Sequence, residues 1–360
     1  MGMLLRTTDC GLYCEAGDFY IDPWSPVPRA VVTHAHGDHL TWGCDAYLVS
    51  HEGAAVSRER LGSWAAGLES VAYGETRSIN GVSVSLHPAG HILGSAQVRL
   101  EYRGEVWVVS GDYKTDPDPT CTAWEPVRCH TFITESTFGL PIYRWPSQQD
   151  VLADINAWWR TNASNGQVSL LCAYALGKAQ RLIAGLDDSA GPILTHGAVE
   201  RMTLRYREAG IVLPPTRHAS DALRDKSIAG AILVAPPSVT GSTWLRRFGE
   251  VRTAFASGWM RVRGARRRRG VDAGFTLSDH VDWPRLLSAV HATGAERVWV
   301  THGFTGPVVR WLTERGLDAR AIATRWEGER DDAAVDATDA DTDTASDGAV
   351  VDDVTPGDLP

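Results

Sequence analysis

Arg29-Ala30-Val31-Val32-Thr33-His34-Ala35-His36-Gly37-Asp38-His39 joins a short β-branched run to four potential metal ligands. The apolar run reads as a buried strand, and the ligands follow at its C-terminal end, on a strand-to-loop junction. His34 and His36 alternate along extended chain and so point to one side, whereas Asp38 and His39 lie further round the loop and can address a second ion. Two neighbouring cations need an anionic bridge. Asp112 is the candidate, because it directly follows the apolar strand Glu105-Val106-Trp107-Val108-Val109-Ser110 and Gly111. An ordinary polar surface loop is a poor account of three imidazoles and a carboxylate gathered directly behind a buried strand.

Other strands also end in potential ligands. Val82 to Leu86 alternates apolar and polar residues and runs into His87-Pro88-Ala89-Gly90-His91. From about Trp145 to Ala254 the texture changes to alternating strands and helices. Val168 to Tyr174, Pro192 to Thr195 and Gly230 to Val234 read as buried strands, and Lys178 to Leu186 as a helix. This is the pattern of an inserted α/β unit of parallel type. Gly274 to Leu277, a helix near Pro284 to Ala292, the strand Arg297 to Thr301 and a helix after Pro307 then return to the first texture.

The chain has 360 residues, 43% of them hydrophobic and 22% charged, enough to bury a large core in more than one structural unit. No window approaches the roughly 20 apolar residues of a membrane span, and no signal-peptide pattern opens the chain, so a soluble cytoplasmic protein with no membrane partner is expected. Six scattered cysteines without a CxxC pair suit a reducing compartment rather than a disulfide framework or a thiolate zinc site. The net charge of -9 is misleading, because residues 331–360 carry ten Asp and no Lys or Arg, which leaves the body at +1. That tail has no aromatic residue and few large apolar ones, and is expected to be disordered and solvated.

His34, His36, Asp38 and His39, then Gly90-His91, then Ser110-Gly111-Asp112 resemble, in order, the metal motifs of the metallo-β-lactamase superfamily. Thr134-Glu135-Ser136-Thr137-Phe138, Ser278-Asp279-His280 and Thr301-His302-Gly303 resemble the additional motifs of its β-CASP nuclease group. Gly111-Asp112-Tyr113-Lys114, Ala175-Leu176-Gly177-Lys178-Ala179-Gln180 and Ala256-Ser257-Gly258-Trp259-Met260 look most like the bacterial ligase-associated DNA exonucleases, with coverage from about residue 3 to 327. The motif at His302 reads His-Gly-Phe here where His-Gly-Glu is frequent, so an acidic role at its third position is not carried over.

The resemblance implies an α/β fold: an αββα sandwich with its metal site at one edge and an inserted α/β β-CASP domain. The expected division is residues 1–144 and 255–330 for the two parts of the sandwich, 145–254 for the insertion, and 331–360 for the acidic tail. It also implies that His34, His36, His91 and Asp112 hold one metal ion, and that Asp38, His39, Asp112 and His302 hold another, with Asp112 as the bridge. Two such cations lower the pKa of a bridging water, which attacks phosphorus in line, and they stabilise charge on a phosphate oxygen. His280 is expected to protonate the leaving group, with Glu135 orienting its ring. The catalytic residues on this reading are Asp38, Asp112, Glu135 and His280. The imidazole-rich set suits Zn2+, and Mn2+ is the alternative.

The expected activity is that of a metal-dependent DNA exonuclease in repair, acting on single-stranded or end-containing DNA. A DNA ligase and a helicase are partners by resemblance alone. Arg261, Arg263, Arg266, Arg267, Arg268 and Arg269, with Arg246 and Arg247 upstream, form a basic run able to track a phosphate backbone. Lys114 and Lys178 are weaker candidates for phosphate contacts. Tyr143, Trp145, Trp158, Trp159, Trp244 and Trp259 could stack bases, although core packing is the default reading. His51, His87, His130, His196, His218 and His291 are not expected to be ligands. An RNA-processing nuclease, a small-ester or thioester hydrolase on the same core, and a non-catalytic binding module are the competing readings. Glu135, His280 and the insertion argue against the ester hydrolase, and the intact ligand set argues against the binding module.

Overall fold

The computed structural model of the chain describes residues 3–262 and 270–324. A first sheet contains, in chain order, β1 (Arg6–Thr8), β2 (Gly11–Cys14), β3 (Phe19–Ile21), β4 (Arg29–Val31), β5 (Ala46–Ser50) and β6 (Leu68–Val71). Its first three strands are antiparallel, and the pairings from β3 to β6 are parallel. The second sheet opens as a meander of β7 (Thr76–Ile79), β8 (Val82–Pro88), β9 (Ala96–Tyr102) and β10 (Glu105–Val109). Asn80-Gly81 and Arg103-Gly104 make its two-residue turns with positive φ at both positions, the backbone that matches the twist of paired strands. β11 (Thr131–Glu135) then joins β10 in parallel.

The chain leaves the second sheet here and builds a third from β12 (Val168–Cys172), β13 (Ile193–Thr195), β14 (Arg217–His218), β15 (Ile232–Ala235), β16 (Val251–Ala256) and β17 (Ala273–Phe275). The order is β14-β13-β15-β12-β16-β17, and every pairing is parallel. β16 crosses the expected limit at residue 254 and β17 lies beyond it, because both extend this same parallel ladder. The chain then returns to the second sheet, where β18 (Arg297–Thr301) pairs with β11 and β19 (Asp318–Ala321) forms the edge.

Strand alternation explains the layers. Along β10 and β18, Trp107, Val109 and Trp299 face the first sheet and pack with Leu12, Phe19, Ile21 and Val31. Val108, Val298 and Val300 face the other way, against Leu286, Val290, Val308 and Leu312 of the helices Trp283–Thr293 and Thr305–Thr313. The second of these helices begins before Pro307, which sits in its first turn, where no intrahelical N–H is required. On the outer face of the first sheet, Val56 and Leu61 of α1 (Ala54–Leu61) cover Ala30, Tyr47 and Val49. Helix, sheet, sheet, helix is therefore the layering.

The third sheet is buried on both faces, which is why β12 is apolar or small throughout. α2 (Gln148–Ser164) buries Val151, Ile155 and Trp159 at a spacing of four, and the Trp159 indole donates to the Gly230 carbonyl at 2.9 Å. α3 (Lys178–Ala184) follows β12 and points its first two turns at the sandwich. Among the described residues, no helix is long and apolar enough to cross a membrane.

Candidate metal centre and active site

β4 ends at Val31, and Thr33 to His39 fold over the edge of the sandwich. Opposite them, Gly111 bends the chain after β10 with φ of +57°, and a Cβ there would come within 2.6 Å of the Thr33 Cβ. This close approach brings Asp112 beside the histidines. His34 Nε2 lies 3.1 Å from His36 Nδ1, which is 3.1 Å from His91 Nε2, and Asp112 Oδ2 is 3.6 Å and 3.9 Å from the first and last of these. The four donor atoms all lie within 4.8 Å of one another, a spacing that suits ligands about 2.0–2.2 Å from a shared centre.

The remaining ring nitrogens show that these donors are set for a cation. His34 Nδ1 lies 3.1 Å from the Thr33 hydroxyl, which donates to Asp22 at 2.6 Å. His36 Nε2 donates to the Leu176 carbonyl at 3.1 Å, and His91 Nδ1 to the Asp279 carbonyl at 2.9 Å. Each bond uses one nitrogen as a donor and leaves the lone pair on the nitrogen that faces the cluster, as in histidine metal sites. Burial pushes the pKa of all three rings down, so they are neutral where a metal would need them. Burial raises the Asp112 carboxyl, but the surrounding imidazoles, His39 first, hold it well below the usual carboxylate range.

His39 faces the other side of Asp112. Its Nδ1 donates to Asp22 at 2.7 Å, and its Nε2 lies 3.4 Å from Asp112 Oδ2 and 3.6 Å from Asp38 Oδ2. The His302 ring is centred 5.7 Å from that of His39. His302 and Gly303 end β18 with φ of +53° and +67°, and a Cβ on Gly303 would strike the Ser136 carbonyl and Thr137. A side chain at 303 is thereby excluded, and the bend turns His302 back to the cluster. His34, His36, His91 and Asp112 thus converge as a donor set that fits a divalent ion, while His39 lies on the other side of Asp112 with Asp38 and His302 beside it.

Glu135 ends β11, fully buried, and both its oxygens lie 3.0 Å from His280 Nδ1. It also accepts the Tyr113 and Thr137 amides at 3.0 Å and 3.3 Å. The His280 ring packs 4.8 Å from that of His91 and 6.0 Å from Phe138, and the Trp145 indole donates to the His280 carbonyl at 2.8 Å.

Lys114 and Lys178 are not at a nucleic-acid surface. Lys114 is 3% exposed and donates to the Ser278 carbonyl at 2.6 Å, and burial pushes its ammonium down to about 7. Lys178 is fully buried and lies 3.1 Å from the Asp279 carboxylate. Arg246, Arg247 and Arg261 are exposed, whereas Arg263, Arg266, Arg267, Arg268 and Arg269 lie outside the described residues, as does the acidic tail. Trp159 is core, and His196 caps the helix Gly197–Glu208 and packs on Trp244.

Three residues that sequence reading passed over complete the surroundings. Asp22 holds both Thr33 and His39. Arg181 donates to the His91 carbonyl at 2.8 Å and lies 3.4 Å from Asp118. Asp118 in turn accepts from Gln148 at 2.6 Å. The spacing of Lys178 and Arg181 on one helix face was the available signal for a buried ion-pairing edge.

No family model matches the chain. A protein named probable DNA ligase from Opitutus terrae is 36% identical over 316 residues, 87% of this chain and 30% of that protein. Cleavage and polyadenylation specificity factor 73 of Drosophila melanogaster is 27% identical over 182 residues, 49% of this chain and 26% of that protein. These similarities are consistent with the β-CASP nuclease group of the metallo-β-lactamase superfamily. Endoribonuclease YSH1 of Saccharomyces cerevisiae is also similar, 32% identical over 125 residues, 34% of this chain and 16% of that protein. The chain spans less than a third of the length of these curated relatives. A crystal structure of a protein of unknown function from Enterococcus faecalis shares the fold, with a TM-score of 0.54 at 12% identity, covering 84% of this chain and 80% of the other.

Proposed function

We propose that this protein is a β-CASP, metal-dependent phosphodiesterase that cuts nucleic acid, and specifically a DNA exonuclease. The observation that carries the reading is the convergence of His34, His36, His91 and Asp112 next to the paired Glu135 and His280. In this reading His34, His36, His91 and Asp112 hold one ion and Asp38, His39, Asp112 and His302 a second, Zn2+ before Mn2+. Ions bound there supply positive charge to a phosphate oxygen and a nucleophile derived from water at neutral pH.

The chain's own residues do the rest. Asp112 contributes the negative charge between the two halves of the site. Glu135 fixes His280 through Nδ1, which leaves Nε2 as the nitrogen from which a proton reaches the departing oxygen. Tyr113 and Thr137 hold Glu135 in turn through their amides, so the pair is set before substrate arrives. The ring of Phe138 packs on His280 and excludes water from that side.

DNA is favoured because the relative that covers most of this chain carries the name of a DNA ligase. Since this chain matches only 30% of that protein, a ligase is also the partner we propose. The endoribonuclease relatives favour RNA as the second reading. Six scattered cysteines with no CxxC pair support a reducing, cytoplasmic setting. Matched single-stranded DNA and RNA, each labelled separately at the 5′ and 3′ ends and mixed in competition, test the proposal. Stepwise loss of nucleotides from DNA ahead of RNA is the expected result. Preferred cleavage of RNA would move the protein to the second reading, and cleavage of neither polymer with both ions bound would overturn the phosphodiesterase assignment.

A further inference from the structure

The inserted unit supplies none of the seven expected ligands, yet it grips the ones on one side of Asp112 from behind. Three contacts do this, all within one turn-and-a-half of chain after β12. The Leu176 carbonyl accepts from His36 Nε2 at 3.1 Å. Lys178, fully buried, lies 3.1 Å from the carboxylate of Asp279, whose own carbonyl accepts from His91 Nδ1 at 2.9 Å. Arg181, 1% exposed, donates through Nη2 to the carbonyls of His91 at 2.8 Å and Gly90 at 3.4 Å. Gly177 makes the approach possible, since a Cβ there would sit 2.2 Å from the Ile92 side chain.

The other half of the site is held differently. His39 is fixed by Asp22, and His302 by the bend at Gly303 and by the Ser136 hydroxyl, which donates to its carbonyl. All of these supports come from the sandwich. Burying two cations and two carboxylates beside the site costs desolvation energy that well-packed apolar residues would not incur. Here the two cations hold the backbone of Asp279 and His91 and so the tautomer and aim of His91, while the Leu176 carbonyl on the same turn does this for His36.

We propose that Lys178 and Arg181 are positioning residues for one metal ion of the pair, the one held by His34, His36, His91 and Asp112, so that seating of the insertion and affinity for that ion are coupled. The inference rests on the two-ion reading above. Removal of such outer contacts lowers metal affinity about 10- to 100-fold, and the loss falls on one ion while the ion at His39 and His302 keeps its affinity. Coupling is reciprocal, so loading that ion also strengthens the hold on the insertion.

The test uses the full chain, stripped with chelator and titrated with Co2+, whose visible absorption reports each site, in competition with a chelator of known affinity. For Lys178→Met and Arg181→Met the expected result is one step weakened about 10- to 100-fold and the other unchanged, with His302→Ala weakening the opposite step. Equal weakening of both steps, or of neither, would overturn the proposal. Should either variant not fold, the wild type still decides: Co2+ loading is expected to slow hydrogen exchange of the amides at 177–184, and exchange that stays the same on loading would contradict the coupling. Because metal occupancy is read without substrate, a protein that shows this asymmetry but cuts no phosphodiester keeps the inference and loses the nuclease reading. If the wild type holds a single ion, the two-ion reading fails, and the coupling stands or falls on whether Lys178→Met weakens that ion.

Discussion

The sandwich and the insertion both contain sheets, but they are built on different rules. In the sandwich each strand alternates, with one face toward the partner sheet and one toward helices, and strand ends project ligands from an edge. In the insertion the sheet is parallel and apolar on both faces, and its contribution to the site comes from one strand-to-helix junction. The contrast teaches a division of labour: the candidate reactive groups sit on the first scaffold, and the second holds part of that set in register through one backbone carbonyl and two buried cations. A chemistry-bearing motif and the elements that aim it need not share a domain.

Breaking the first scaffold should give the largest effects. Asp112→Ala removes the only carboxylate common to both ligand sets, and activity is expected to fall to background with both ions lost, as metal analysis would show. Retention of one tightly held ion would mean that the two halves do not share Asp112. His280→Ala is next. Its turnover should fall about 10²- to 10⁴-fold, with metal content unchanged. An equal loss of metal would make His280 a ligand instead.

Perturbing the second scaffold should act less directly. Trp159→Ala empties a fully buried site in the insertion, at a cost of about 3–5 kcal/mol, visible in chemical denaturation as earlier loss of the insertion while the sandwich persists. A single transition shifted as a whole would show that the two units unfold together. The smallest effect is expected from Arg246→Gln with Arg247→Gln at the exposed surface. Binding of single-stranded DNA should lose up to about 1.4 in log-log salt slope, at about 0.7 per phosphate contact, and an unchanged slope would take this surface out of the interface.

Much of the sandwich side was legible in the sequence. His34 to His39 crowd into one loop, and Asp112 and His302 each follow an apolar strand closely, so periodicity exposes them. The β-CASP resemblance supplied Glu135 and His280. Asp22 was not legible, because it lies 17 residues before His39 in a plain Ile-Asp-Pro turn, and only the folded edge makes them neighbours. Lys114 and Lys178 were misread for the opposite reason. A lysine in a sequence defaults to the surface, whereas here Asp279, more than a hundred residues after Lys178, meets it in the interior and makes burial tolerable. The third sheet's parallel character was visible in its apolar runs, but its reach to Phe275 was not, since β17 has only three half-buried residues.

The central claim is that the cluster around Asp112 requires divalent ions to hydrolyse nucleic acid. Cleavage of end-labelled single-stranded DNA by chelator-stripped protein, before and after stoichiometric return of Zn2+ or Mn2+, tests it most directly. The account predicts no cleavage by the stripped protein and recovery as two ions per chain are restored. Cleavage that survives complete removal of metal, or its absence with both ions bound, would contradict it.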